Sequence, residues 1–275
     1  TVRLLDPPLH EFLPNYEAVL VETIELRITG KDPKRLAEQE VLLAKIREMH
    51  EFNPMLGHRG CRLGITHPDV YDMQVRAIFN ASVKLTREGI KVLPEVEIPL
   101  TIDFKEMDFF KTRIDTMAKE IMEKEKVHFE YTVGSMIEMP RAALLAGELA
   151  EISDFFSFGT NDLTQTTFGF SRDDAEGKFM NAYLDGKILK EDPFIVLDRR
   201  GVGQLMRMTV ENGRRTKPEL LIGICGEHGG EPHSVEFCHQ IGLDFVSCSP
   251  FRVPVARLAA AQAAIAGAEG VVGTK

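Results

Sequence analysis

No apolar run in these 275 residues approaches the roughly 20 that a helix needs to cross a bilayer, which sets aside a membrane-spanning chain. Thr1 opens straight into the strand-like run Val2-Arg3-Leu4-Leu5 with no signal- or transit-like stretch, the pattern expected where a sequence starts inside a longer protein. Positive charge is in deficit. The 33 Lys and Arg face 42 Asp and Glu, for a formal net charge of −9, and no basic stripe interrupts the balance, so a nucleic-acid partner is excluded. Any anionic ligand must be met by individual arginines. Cysteine is scarce: Cys61, Cys225, Cys238 and Cys248 lie far apart without C-x-x-C spacing, which disfavours a zinc ribbon and predicts free thiols in a reducing, intracellular compartment. Cytoplasm and organelle are not distinguished; Gly273-Thr274-Lys275 is not a peroxisomal terminus. A G-x-G-x-x-G after the first strand and a P-loop are missing as well, and both absences count against nucleotide binding.

What is present is a globular composition, 44% hydrophobic, long enough for one large α/β domain or two small ones. One pattern repeats: a short apolar run, a polar or glycine-bearing end, then an amphipathic helix. The first run ends in Asp6-Pro7-Pro8, which forbids helix and leaves Arg3 and Asp6 near a strand end. Tyr16 to Met49 reads as two helices around a turn at Gly30-Lys31-Asp32-Pro33, a scaffold region. Further strand-like runs are expected at Ile65-Thr66, Val92–Leu100, in the runs ending at Glu138 and Gly159, at Leu220–Ile224 and at Asp244–Pro250. Helices are expected over Pro68–Arg87, Phe104–Lys126, Arg141–Ile152, Val202–Gly213, His233–Gln240 and a final alanine-rich stretch to about Ala266. Asp173–Arg200 fits an insertion or rim loop, able to act as a lid. About seven strand–helix alternations suggest parallel strands with right-handed crossovers, and the best fit is α/β, a (β/α)8 TIM barrel with one unit absent. An open doubly wound sheet is the competing architecture.

In a barrel, functional residues gather at the carboxyl ends of the strands. Those ends carry Arg3, Arg59, Glu138, Asp162 and Cys225. Phe155 to Gln165 passes abruptly from an aromatic run to Gly159-Thr160-Asn161-Asp162, and Val133–Pro140 ends in the single acid Glu138. Mg²⁺ is usually held by one or two carboxylates plus substrate oxygens, so Glu138 and Asp162 are candidate ligands; the plainer reading is two helix caps. Arg59, in Gly57-His58-Arg59-Gly60, offers a fork of donors to an anion or forms a structural ion pair. Cys225 is a reactive thiol or a small buried hydrophobe.

Five runs carry a family resemblance: Val2-Arg3-Leu4-Leu5-Asp6-Pro7-Pro8-Leu9-His10-Glu11-Phe12, Gly57-His58-Arg59-Gly60-Cys61-Arg62-Leu63, Met136-Ile137-Glu138-Met139-Pro140-Arg141-Ala142-Ala143-Leu144, Phe156-Ser157-Phe158-Gly159-Thr160-Asn161-Asp162-Leu163-Thr164-Gln165 and Gly223-Ile224-Cys225-Gly226-Glu227-His228-Gly229-Gly230-Glu231-Pro232. Across nearly the whole chain, 1–275, the sequence resembles the phosphoenolpyruvate-utilising enzymes. The resemblance implies a carboxy-terminal (β/α)8 domain, lacking its first strand here, that binds phosphoenolpyruvate or pyruvate and pairs as a homodimer. It implies Arg3 and Arg59 on the phosphoryl and enolate oxygens, Glu138 and Asp162 as Mg²⁺ ligands, and Gly159, Thr160 and Asn161 in contact with substrate, Asn161 on the carboxylate. Cys225 looks like the acid that protonates the enolate carbon, and His228 either orients a neighbour or is inert.

The chemistry is coherent. Loss of a phosphoryl group from phosphoenolpyruvate leaves the pyruvate enolate, whose oxygen needs a cation and fixed donors away from water. Its carbon then needs a proton, which a thiol of ordinary pKa about 8.5 still carries near neutrality. The family's nucleotide-binding domain and its domain with a phospho-accepting histidine are not among these residues, so both are expected elsewhere in a longer chain. A phosphoenolpyruvate synthase-like barrel and a non-catalytic ligand-binding or dimerisation module remain as alternatives.

Overall fold

The computed structural model describes residues 1–51 and 53–268; Gly273-Thr274-Lys275 and the end of the expected 1–275 domain lie outside the described residues. Six strands form one parallel sheet: β1 (Val2–Arg3), β2 (Glu95–Ile98), β3 (Thr132–Ile137), β4 (Phe155–Gly159), β5 (Leu221–Cys225) and β6 (Phe245–Val246). Their spatial order is their chain order, and every pairing is parallel. Sequential order is that of a barrel, whereas a doubly wound sheet reverses direction at a switch point. The described residues form a half-barrel, not a closed ring.

Each strand alternates between two environments. Val96, Ile98, Val133, Ile137, Phe156, Phe158, Ile222 and Ile224 belong to the main core, packed with helix residues such as Ile114, Leu149 and Met206. The register places Arg3, Glu97, Gly134, Met136, Ser157, Gly159, Gly223 and Cys225 on the opposite face, through the pairs Arg3–Glu97, Glu97–Gly134, Met136–Ser157, Ser157–Gly223 and Gly159–Cys225. That inward face carries the polar chemistry.

The helices follow the expected pattern with three differences. Tyr16–Thr29 and Pro33–Met49 form a helical hairpin with its own small cluster of Val19, Leu43 and Ile46; Gly30 turns the chain at φ 62° and the Asp32 carboxylate caps the second helix at Arg35 N. The expected strand at Ile65-Thr66 is instead the end of a short helix, Cys61–Thr66. It starts at Gly60, whose φ of 57° suits glycine and where a Cβ would fall 2.7 Å from the Leu100 side chain. The observed strands are therefore six. The expected helix Arg141–Ile152 is split into Pro140–Leu144 and Ala146–Ile152. Asp173–Arg200 is more ordered than a loop: Arg172–Lys178 and Met180–Asp185 are helical, and Ala175, Met180 and Phe194 form a separate cluster with Phe170 and Phe179 around it. Among the described residues no helix is long and apolar enough to cross a membrane. All four cysteines are free.

Candidate active site

A cleft of about 1160 Å³ opens at the carboxyl ends of the strands, with Arg3, Asp6, Arg59, Asn161, Asp162 and Arg172 among its walls. Arg59 is its organising cation. The guanidinium donates through Nη2 to Asp6 Oδ2 at 2.6 Å and through Nε to Asp6 Oδ1 at 3.3 Å. It also donates through Nη1 and Nη2 to the two Asp162 oxygens at 3.2 and 3.3 Å, and through Nη1 to the Met55 carbonyl at 3.3 Å. Burial works against the charge, but the hydrogen bond to Asp6 and the attraction of Asp162 outweigh it and raise the Arg59 pKa further. Both sequence readings of Arg59 are thus present: it lines the cleft, and its donors are already engaged by two carboxylates. Arg3 is freer, half-exposed with one ion pair to Asp6 at 3.4 Å.

Glu138 follows β3 and is fully buried. Its Oε1 accepts the Leu100 backbone N–H at 2.7 Å, and Leu100 holds that N–H in place with a left-handed backbone, φ 58°, which non-glycine residues rarely adopt. Burial, then repulsion from Asp162 and Asp6, pushes the Glu138 carboxyl well above its ordinary range. No Lys or Arg forms an ion pair with it among the described residues. Gly159, at the end of β4, lies against it: a Cβ there would fall 2.4 Å from Glu138 Oε2. Glu138 is therefore on the same side of the molecule as Asp162, close enough for the two charges to oppose each other, although it does not line the cleft itself.

The helix Thr160–Phe168 starts directly after Gly159, so Asp162 sits in its first turn. Neither acid simply caps a helix by a side-chain bond, since no such bond is made at Gly159 or Met139. Thr160 is buried, and the Pro193 carbonyl fixes its partner: His228 Nε2 must donate to that oxygen at 3.0 Å, leaving Nδ1 to accept the Thr160 hydroxyl at 2.7 Å. Burial lowers the His228 pKa, in keeping with a neutral ring. His228 thus orients its neighbour and ties the Phe170–Phe194 segment to the start of the Asp162 helix. Asn161 is exposed and lines the cleft.

Cys225 ends β5, paired in register with Gly159. Its thiol donates to the Phe158 carbonyl at 3.5 Å and is part-exposed. Burial, aided by the Glu97 and Glu138 charges, pushes the thiol up to about 11. At neutral pH it is a proton donor and not a thiolate. It stands outside the cleft walls, next to Gly159 and Gly226; Gly226 adopts φ 93°, and a Cβ there would come within 3.8 Å of Asn161 Nδ2. Asp6 and Arg172 were not assigned to the site from sequence. Arg172 bonds Glu176 at 2.8 Å and Glu227 at 3.1 Å, so it bridges the helical segment to the residues after β5.

Among the described residues no cluster of three or more His, Cys, Asp or Glu is arranged to hold a metal on its own. A hard cation needs less: two carboxylates and substrate oxygens suffice for Mg²⁺. Glu138 and Asp162 fit that donor set, because a buried carboxylate with no cation of its own, opposed by two aspartates, is stabilised by a divalent ion.

The strand ends of this parallel β/α domain thus bring arginines, carboxylates and a protonated thiol to one side of the sheet, the polar equipment of a small-molecule site. The family described as PEP-utilising enzyme, PEP-binding domain, matches residues 1–265, and the chain belongs to it. It is 52% identical over 266 residues to a pyruvate, phosphate dikinase of Entamoeba histolytica, covering 96% of this chain and 30% of that protein. It is 54% identical to those of Rhizobium meliloti, over 98% of this chain and 29% of that one, and of Clostridium symbiosum, over 96% and 29%. The chain therefore spans about 30% of the length of these relatives. Chloroplastic relatives occur too, such as the Mesembryanthemum crystallinum dikinase at 53% identity over 95% of this chain and 27% of that one. Among solved structures, a Burkholderia xenovorans citrate lyase aligns with a TM-score of 0.46 and 11% identity, over 90% of this chain and 75% of that one. A likeness at that level carries nothing further.

Proposed function

We propose that this chain is the phosphoenolpyruvate/pyruvate domain of a pyruvate, phosphate dikinase, an enzyme that reversibly converts ATP, pyruvate and phosphate to AMP, phosphoenolpyruvate and diphosphate. The observation that carries the reading is the assembly of Asp6, Arg59, Asp162 and Glu138 at one set of strand ends, in a chain 52% identical to such a dikinase over almost its full extent. A phosphohistidine domain and a nucleotide-binding domain of the same longer chain would exchange the phosphoryl group with this site, and a strand from outside these residues would help close the (β/α)8 barrel. Two such chains would pair as a homodimer.

In this reading Glu138 and Asp162 hold Mg²⁺, which when bound neutralises the developing enolate oxygen. Arg59 would offer its Nη donors to substrate oxygens, while Arg3 would meet the phosphoryl group from the open side. Gly159, Thr160 and Asn161 set the substrate's edge, with Asn161 on the carboxylate and Thr160 held by neutral His228. Cys225 gives its proton to the methylene carbon and, in reverse, its thiolate removes a proton from the pyruvate methyl.

Calorimetry of the full-length protein with Mg²⁺ and oxalate, a planar mimic of the enolate, tests the reading. Oxalate binding is expected to require Mg²⁺ and to weaken at least about tenfold in Glu138→Gln and Asp162→Asn, the cost of one lost charged ligand. Oxalate binding that ignores both the metal and these substitutions would refute it. Gly159→Ala is expected to act like the loss of a ligand, because the new methyl would meet Glu138 Oε2 at 2.4 Å and the Met136 sulfur at 2.9 Å, displacing the carboxylate. The same titration shows this as weaker Mg²⁺-dependent binding in a folded protein.

A further inference from the structure

The segment from Phe170 to Phe194 supplies one wall of the cleft, Phe170, Arg172 and Phe194 among it. Its buried apolar residues form a cluster separate from the main core, so polar bonds at its two ends do much of the tethering. At the start, the Arg172 backbone N–H donates to Gln165 Oε1 at 2.8 Å and its guanidinium to Glu227 at 3.1 Å. At the end, the Pro193 carbonyl accepts from His228 Nε2 at 3.0 Å, and just beyond it Leu197 N–H donates to Ser234 Oγ at 3.1 Å. The His228 bond continues into the site, because the other ring nitrogen accepts the Thr160 hydroxyl at 2.7 Å.

We propose that His228 is a two-ended strut: through the Pro193 carbonyl it couples the seating of the Phe170–Phe194 segment to the alignment of Thr160, and so of Asn161 and Asp162, toward the ligand. The inference rests on the reading of these strand ends as the enolate site. His228 touches no ligand itself; it is a positioning residue that acts through Thr160.

The geometry makes the two ends depend on each other. The imidazole is rigid and wholly buried, and its backbone is held from behind: Gly229 lies so close to the Ser247 carbonyl that a Cβ would not fit, and the Glu231 N–H donates to the His228 carbonyl at 3.2 Å. A carbonyl can only accept, so Pro193 fixes the proton on Nε2 and leaves Nδ1 as the acceptor that Thr160 needs. Thr160 is 1% exposed, with no water to replace a lost partner. It is also the first residue of the helix that carries Asp162 in its first turn, and no side chain caps that helix at Gly159. The bond to His228 therefore anchors the helix start by the side chain. Coupling between two sites is reciprocal, so a seated segment that favours ligand binding must itself be steadied by the ligand.

The test is hydrogen–deuterium exchange of the backbone amides of Arg172–Lys178 and Met180–Asp185 in the full-length protein, with and without Mg²⁺ and oxalate, beside oxalate affinity by calorimetry. In the wild type oxalate should slow that exchange at least about fivefold, the lower end of the usual coupling between sites. His228→Gln keeps a donor for the Pro193 carbonyl but offers Thr160 no acceptor. Its ligand-free segment should exchange as in the wild type, while oxalate binds at least about fivefold more weakly and no longer slows exchange. His228→Asn keeps the acceptor and drops the donor, so ligand-free exchange should rise and oxalate should again fail to slow it. Thr160→Val should repeat His228→Gln, and Thr160→Ser should behave as the wild type, a rescue that a purely structural role for His228 would not produce. Slowing that persists in His228→Gln and Thr160→Val, as direct contact between oxalate and the segment would give, overturns the proposal; so does wild-type exchange that ignores bound oxalate. Should His228→Gln misfold, seen as raised exchange in the strands, Thr160→Val against Thr160→Ser decides alone. Oxalate binding that ignores Mg²⁺, Glu138 and Asp162 removes the parent reading and this one with it, whereas normal binding without the coupling removes only the role of His228.

Discussion

Cys225→Ala in the full-length protein should lower deuterium exchange into pyruvate by about 10²–10⁴-fold, the usual worth of a positioned acid or base. Oxalate binding should stay within about twofold, because neither proposed metal ligand is touched and the removed sulfur makes only a 3.5 Å contact to the Phe158 carbonyl. The split between chemistry and binding matters. A domain kept only to bind ligand or to pair subunits would show no change in proton exchange, whereas a general destabilisation would lower both readouts together. The thiol's upward shift, to about 11, fits the same role, since the group stays protonated throughout the physiological range.

The second large effect is on stability. Arg59→Met removes the cation between Asp6 and Asp162 and leaves three opposed acids, counting the fully buried Glu138. Breaking a buried ion pair from one side costs about 3–5 kcal/mol, which denaturant unfolding of the full-length protein can measure. The sign with pH follows from the acids that remain. Burial and the two neighbouring aspartates already hold the Glu138 carboxyl above its ordinary range, and a carboxyl harder to charge folded than unfolded destabilises most where it must be charged, so the variant's deficit should be largest near neutrality and shrink as pH falls into the carboxylate range. Mg²⁺ should recover part of the loss, since it replaces the missing positive charge at Asp162 and Glu138. Stability that is unchanged, or equally reduced at every pH, would show that Arg59 does not hold these charges together.

Much of this architecture was legible in the chain because β3, β4 and β5 are buried apolar runs with sharp polar ends, and that pattern survives without tertiary knowledge. The placing of Glu138, Asp162 and Cys225 at or just beyond strand ends was recoverable for the same reason. The short segment after Arg59 misled, since Ile65-Thr66 looks extended while the turn at Gly60 starts a helix at Cys61, four residues before Ile65. Asp6 could be placed near a strand end but not paired, because its partner Arg59 is 53 residues away and Arg59 meets Asp162 across 103 more. Glu97 was invisible for a different reason. In Glu95-Val96-Glu97-Ile98 the acids alternate as they would on a solvent-facing edge, and only the register with Arg3, together with the sheet's inward face, turns the second one into a buried group.

A crystal structure of the full-length protein with Mg²⁺ and oxalate is the most direct measurement. The account predicts the metal bound by Glu138 and Asp162, oxalate oxygens on that metal and on Arg3 or Arg59, and the Cys225 sulfur facing the position of the enolate carbon. Oxalate and metal bound away from those strand ends, or a Cys225 sulfur walled off from them, would contradict it.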